Sequence, residues 1–247
     1  MANLFNIILY QPFLNVLVLI WRYAAFKDFG VAIILLTILI RLILFPIFQK
    51  SVRHQTLMQR LSPEIKKIQE NHKGNKEKQA QAMMDLYRQH KINPFGGFIL
   101  LIVQLPIMIG IYRVILKGFS PAIFTNLYSF VSAPNGFSQS FLGLIDLGEK
   151  SILIAVVAAV AQFFQGKLSL GKTLKKEPGQ NQKGSDLAQM VSKQMIFIGP
   201  LFTIFIVGSL PSAIGLYWLT STLFGIGQQI FINRQIKKQD ERSSLKN

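Results

Sequence analysis

Residues 29–48 read FGVAIILLTILIRLILFPIF, twenty positions that carry one charge, Arg41. An apolar run of about 20 residues matches a hydrocarbon layer of about 30 Å, so this stretch places the chain in a bilayer. An arginine near the middle of such a run costs roughly 2.5–3.5 kcal/mol on insertion scales, and residues of this kind usually face a wet cavity. The plainer alternative is that Arg41, seven residues from the end of the run, lays its aliphatic stem along the helix and snorkels to the headgroups.

Working outward, the rest of the 247 residues agrees with a membrane setting. Half are apolar and 20 are Phe, and further apolar runs are long enough to span. Cysteine is absent, which excludes disulfides, thiolate metal sites, a cysteine nucleophile and a lipid-modified N-terminal cysteine. Residues 1–20 contain no Lys or Arg and no small-residue cleavage site, so the N-terminus is expected to be retained.

The net charge of +16 is unevenly spread: ten Lys and Arg fall in residues 50–91, six in 167–193 and five in 234–246, while 119–148 has none. Basic loops near span ends stay on the cytoplasmic side. The expected order is therefore an outer interfacial helix (1–27), a first span (28–49), a cytoplasmic helical hairpin (50–94), a second span (95–118), an outer loop (119–148), a third span (149–166), a cytoplasmic loop (167–193), a fourth (194–210) and fifth span (211–233), and a basic cytoplasmic tail (234–247). The fold class is an all-α polytopic membrane protein of five spans, N-terminus outside and C-terminus inside. The stretch 4–21 reads as interfacial rather than spanning because Asn6, Gln11, Pro12 and Asn15 interrupt it. The third apolar run, 151–165, is short for a full crossing, and 168–189 reads as a mobile loop.

In the hairpin segment, Leu57, Leu61, Ile65 and Ile68 recur at helical spacing. Ser62-Pro63-Glu64 offers a cap, a proline at the first helical position and an early acid. Ala80, Met83, Met84 and Tyr87 form the matching stripe of a second helix. All three histidines, His54, His72 and His90, lie in this segment and read as scattered surface groups.

No Asp or Glu lies within the apolar runs of the five spans, 29–48, 98–116, 151–165, 195–210 and 213–232, so a carboxylate proton relay or an aspartate protease has no candidates. The spans instead carry neutral polar groups: Gln104, Gln162, Gln165, Thr203, Thr220, Ser221, Thr222, Gln228 and Gln229. Each amide in hydrocarbon needs a partner or water. Interhelical hydrogen bonds explain any one of them; together with Arg41 they also fit a shared hydrated groove. Pro46, Pro106 and Pro200 are expected to bend their helices and loosen packing around it.

An ordered set of motifs resembles the YidC/Oxa/Alb family of membrane protein insertases. Asp28-Phe29-Gly30 followed by residues 37–46, with Arg41 and Pro46 in register, looks like the family's first core span. Residues 58–64, Leu86-Tyr87, residues 93–97, Gln104-Leu105-Pro106-Ile107 and Ile111-Tyr112 are similar to its hairpin and second span. Leu216-Tyr217-Trp218 and Gln228-Gln229 resemble its last span. The resemblance covers about residues 5–235.

The resemblance implies a groove open to the cytoplasm and to lipid, lined by Arg41, Gln104, Gln162 or Gln165, and Trp218, in a member without the family's large periplasmic domain. It implies an insertase and chaperone for nascent membrane proteins in the bacterial cell membrane, not an enzyme, with no cofactor and no metal. Its partners would be nascent membrane proteins and the lipid bilayer, with the ribosome and the Sec translocon as further candidates and no sequence-specific nucleic acid. The alternative from another class is a small-solute transporter or channel using Arg41 as an anion site. That reading calls for internal repeats or a coupling-ion site, and the sequence shows neither.

Overall fold

The computed structural model describes residues 2–93, 96–116, 121–134, 138–170 and 186–244. They are mostly helical and divide into two compact units. The first comprises Met1–Leu44, Ile102–Phe163 and Ile198–Phe224; the second comprises Phe45–Leu101, Phe164–Phe197 and Gly225–Asn247.

The first unit opens with α1 (Ala2–Phe5), a π-helical turn (Asn6–Tyr10) and α2 (Gln11–Tyr23) in continuous succession. Pro12 follows the π-helical turn by two residues; it has no N–H for the regular helical ladder, and a π-turn is one way a continuous helix takes up such a gap. Leu14, Leu17, Val18 and Trp21 form a buried stripe on α2 at the spacing of one helical face, and this stripe joins a core with Phe29, Ile33, Leu36 and Ile40 of α3 (Phe29–Ile43). Asn15 lies on the same buried face at 1% exposure. Its amide donates to the carbonyls of Gln11 (2.7 Å) and Asn126 (3.2 Å) and accepts from the Tyr128 N–H (2.7 Å). The residue that reads as an interruption is therefore a filled polar joint between α2 and residues 126–128.

Asp28 caps α3, its carboxylate accepting from the Val31 N–H at 2.8 Å. The expectation of one helix through 29–48 fails: α3 ends at Ile43, and α4 (Phe45–Arg60) starts anew after Leu44. Pro46 supplies the reason, since it lacks an N–H and its ring collides with the carbonyl four residues earlier. Pro106 and Pro200 behave differently, because α7 (Gly96–Leu116) and α9 (Asp186–Ser209) remain helical through them.

The segment 121–148 contains more than a loop. A 3-10 turn (Pro121–Asn126) precedes two short antiparallel strands, β1 (Ser140–Phe141) and β2 (Ile145–Asp146), with Ser140 opposite Asp146 and Phe141 opposite Ile145. Leu142 (φ 54°) and Gly143 (φ 69°) turn the chain between them. The second carboxylate oxygen of Asp28 accepts from the Leu142 N–H at 2.5 Å, so one side chain fixes both the start of α3 and the tip of this ladder. The N–H groups of Ser212 and Ala213, at the start of α10 (Ser212–Ser244), donate to the carbonyls of Glu149 (2.8 Å) and Leu147 (3.0 Å). These bonds satisfy donors that a helix start otherwise leaves open.

α8 (Ile152–Leu170) has 19 residues, not the short run ending at 165. At 1.5 Å per residue it is about 28 Å long, because Gln165 and Lys167 favour helix and one intervening glycine does not stop it. Likewise α9 begins at Asp186, inside the stretch read as a mobile loop, and α10 continues through the basic tail to Ser244. Residues 171–185 of that loop lie outside the described residues. By length and apolarity, α8 is a candidate span, the broken pair α3 and α4 is a second, and the apolar parts of α7 (Ile102–Ile115) and α9 (Phe197–Ser209) are shorter, among the described residues.

In the second unit, α5 (Ser62–Asn71) and α6 (Lys76–Gln89) pack through Leu61, Leu86, Tyr87 and Ile92, with Leu57, Ile65, Ile68 and Met83 around them. Ser62 is not the cap. It is the first helical residue of α5, and the cap position falls to Leu61, which makes no side-chain cap bond. Asn75 caps α6 instead, accepting from the Lys78 N–H at 3.0 Å. The buried face of α6 is Leu86 and Tyr87 with Met83 beside them, while Met84 is exposed and Ala80 is exposed too. Burial raises the Tyr87 phenol above its ordinary value.

Candidate functional site

Arg41 sits in the last turn of α3, partly buried. Its Nε donates to the hydroxyl of Ser221 on α10 at 2.9 Å, and its Nη2 donates to the same oxygen. Tyr217 lies one turn earlier on α10, on the same face. Its phenol hydrogen-bonds Ser221 and accepts from the Gln104 amide of α7. Three helices thus bring together a chain of polar groups, Arg41, Ser221, Tyr217 and Gln104, inside an apolar core. Ser221 offers the guanidinium a neutral hydroxyl, and α3, α7 and the first 28 residues of α10 contain no Asp or Glu. Taking a charged guanidinium fully out of water costs several kcal/mol, and Arg41 is only partly buried.

The other residues singled out from sequence fall elsewhere. Gln162 accepts from the Thr203 hydroxyl, an α8–α9 bond, and its amide nitrogen would lie 3.3 Å from a Cβ on Gly199. Gln165, in the second unit, lies with its amide nitrogen against Gly225. Trp218 is half-buried and points about 100° round α10 from Tyr217. Ser221 was among the polar groups that sequence reading offered for a shared groove; Tyr217 was the member it did not single out there. Their i,i+4 spacing, seen beside the helical register of Trp218, was the available signal.

The second unit has its own polar network. The Gln229 amide donates to the Thr56 hydroxyl (2.9 Å) and to Asn233 (3.0 Å), and its oxygen accepts from Ser169 (3.4 Å). Asn233 in turn donates to the Leu168 carbonyl at 3.3 Å. Neighbouring Gln228 is buried with neither amide atom hydrogen-bonded among the described residues. His90 faces Glu64 at 3.7 Å, and among the described residues no group of His, Asp and Glu is arranged to hold a metal ion.

An apolar helical chain with a cation held by neutral groups inside its core is a membrane protein with a polar interior. Residues 21–240 match the family described as 60Kd inner membrane protein, and the chain belongs to that family. It is 34% identical over 208 residues to a membrane protein insertase YidC of Fusobacterium nucleatum, covering 84% of this chain and 87% of that one. A membrane protein insertase YidC of Clostridium tetani is 32% identical over 211 residues, 85% of this chain and 84% of its own. The match to a Wolinella succinogenes membrane protein insertase YidC, 30% identical over 230 residues, takes in 93% of this chain but 38% of that longer one. Membership makes the chain a bacterial membrane protein of a family that is not one of enzymes.

Proposed function

We propose that this member of the insertase family moves nascent membrane proteins from the cytoplasm into the bilayer through a hydrated, positively charged groove at Arg41. The observation that carries the proposal is a guanidinium, partly buried among the helices of the first unit, that donates to the Ser221 hydroxyl of α10. A polar or acidic tail entering beside Arg41 trades bulk water for groove water and a fixed cation, which lowers the cost of leaving solvent. The following apolar segment then moves sideways into lipid, driven by roughly 0.8 kcal/mol per buried methylene. No covalent step or nucleotide is involved.

In this reading Gln104 and Trp218 line the groove with Arg41, Ser221 and Tyr217 fix the arginine, and Gln162 and Gln165 rest on the family resemblance. The chain crosses the membrane five times with its N-terminus outside and its C-terminus inside. Residues 1–27 lie in the outer interface, and α5 and α6 form a cytoplasmic hairpin that meets incoming chains, the ribosome or the Sec translocon. The basic residues of 50–91 and 234–246 support that orientation. Solute transport through an anion site finds no support in the family to which the chain belongs.

The test is insertion in reconstituted vesicles of two single-span substrates that differ only in tail charge. Arg41→Lys keeps the charge without the planar fork and should retain most insertion of both. Arg41→Ala should lose mainly the acidic-tailed substrate at equal membrane level. Normal insertion of both by Arg41→Ala would leave the arginine a snorkelling residue, and equal loss of both would exclude direct charge attraction.

A further inference from the structure

The turn between α2 and α3 throws two large side chains outward. Phe26 is 95% exposed and Tyr23 is exposed too, although Trp21 and Ala25 beside them are buried. Phe26 (φ 52°) and Lys27 (φ 61°) both occupy the left-handed region, where a bulky residue is an outlier. Such a conformation persists only where its surroundings over-determine it. Here the Lys27 N–H donates to the Trp21 carbonyl at 3.1 Å and the Asp28 N–H to the Ala25 carbonyl at 2.8 Å. The exposure of Phe26 is therefore built into the backbone. A second turn is joined to the first, because Asp28 accepts from the Leu142 N–H. Leu142, also left-handed at φ 54°, is exposed, and Leu144 is 84% exposed. The Leu144 N–H closes this turn on the Phe141 carbonyl at 3.0 Å.

Two cations accompany these apolar tips. Lys27 is exposed and Arg22 half-buried, with the Arg22 Nη2 donating to the Ala133 carbonyl at 3.4 Å. The Asp28 oxygens accept from the backbone N–H groups of Val31 and Leu142. Among the described residues neither cation pairs with a carboxylate. Position and charge together say what covers this surface. Asp28 caps α3, so the two turns stand where that apolar run leaves hydrocarbon. Left in water, four large apolar side chains would forgo the gain from burial. At a membrane interface aromatic rings lie at headgroup level, and Lys and Arg carry their charge to the phosphates from apolar stems. We propose that Tyr23, Phe26, Leu142 and Leu144 sit in the outer-leaflet interface, with Arg22 and Lys27 holding the phosphates of anionic phospholipids above them. Arg41, thirteen residues along from Asp28, is thereby held about 20 Å inward at helical rise. This inference rests on the outside placement of residues 1–27 and 121–148 proposed above.

The full cysteine-free chain is reconstituted in vesicles of phosphatidylcholine and phosphatidylglycerol, with single cysteines at Phe26, Leu144 and, as an exposed polar reference, Ser138. Nitroxides on these cysteines should meet oxygen, which concentrates in lipid, more than a water-soluble nickel chelate at 26 and 144, and the reverse at 138. A bimane at 26 should be quenched more by nitroxide-bearing phosphatidylglycerol than by the matching phosphatidylcholine. The expected excess is about fivefold, the factor that one cation supplies at a lipid surface. Lys27→Gln, alone or with Arg22→Gln, should bring the two lipids toward equality and leave the oxygen preference unchanged. Nickel-dominated collisions at 26 and 144, in protein whose cysteine at 26 reacts with an impermeant reagent from outside, would overturn the interface. Equal quenching by the two lipids in the unaltered pair of cations would overturn the anionic site. Reaction at 26 only from inside would instead overturn the topology on which the inference rests.

Discussion

Ser221→Ala measures how wet the surroundings of Arg41 are. The hydroxyl accepts from two guanidinium nitrogens, and hydrogen bonds to charged groups are each worth about 1.5–3 kcal/mol. In a dry interior their loss would therefore destabilise the protein by about 3–6 kcal/mol. In a hydrated groove, water replaces the hydroxyl at nearly equal enthalpy and an ordering cost of at most about 2 kcal/mol. The wet reading predicts a loss below about 2 kcal/mol, measured by reversible denaturation in lipid–detergent micelles, with Ser221→Cys as a control of similar size. The loosened guanidinium should meanwhile lower insertion of acidic-tailed substrates more than neutral ones. A loss of about 4 kcal/mol or more, on the dry scale, would refute the hydrated groove.

The topology is open to a direct check in this cysteine-free chain: single cysteines at Ser132 and Lys238 should label from opposite sides, Ser132 from outside, and same-side labelling would overturn the five-span arrangement. Replacing residues 62–89 by a flexible linker should leave the first unit folded, since its core contains none of them, yet reduce insertion; unaltered insertion would reduce α5 and α6 to a tether. Asn15→Ala leaves the Tyr128 N–H and the Asn126 carbonyl without their partner, at about 1–3 kcal/mol for each group left unsatisfied. Denaturation as above should show a loss of at least about 2 kcal/mol on this scale, and a neutral substitution would mean that water already serves that joint.

Arg41 was legible because one charge in twenty apolar positions needs a physical reason. Its acceptor was not, because Ser221 stands 180 residues away among several similar hydroxyls, and no local pattern pairs them. The same holds for Gln104 and Tyr217, separated by 113 residues. Pro46 was legible as a disturbance, but not its outcome: the helix stops at Leu44 there, whereas α7 and α9 run on through Pro106 and Pro200. The strands β1 and β2 are two residues each, too short for alternation to register; backbone bonds and the Asp28 carboxylate hold them. Asn15 shows the opposite failure. A polar residue on an apolar stripe counts against burial in any local reading, and only the backbone of residues 126–128 turns it into a core residue.

That joint also orders the making of the protein itself. Asn15 and Tyr128 are 113 residues apart, so at about 5–20 residues per second of synthesis the amide waits roughly 6–23 s for its partner. Throughout that interval the Asn15 side chain has only its bond to the Gln11 carbonyl, and the N-terminal helix has reason to linger at the water-facing boundary. An insertase is therefore, for part of its own birth, an incompletely inserted client.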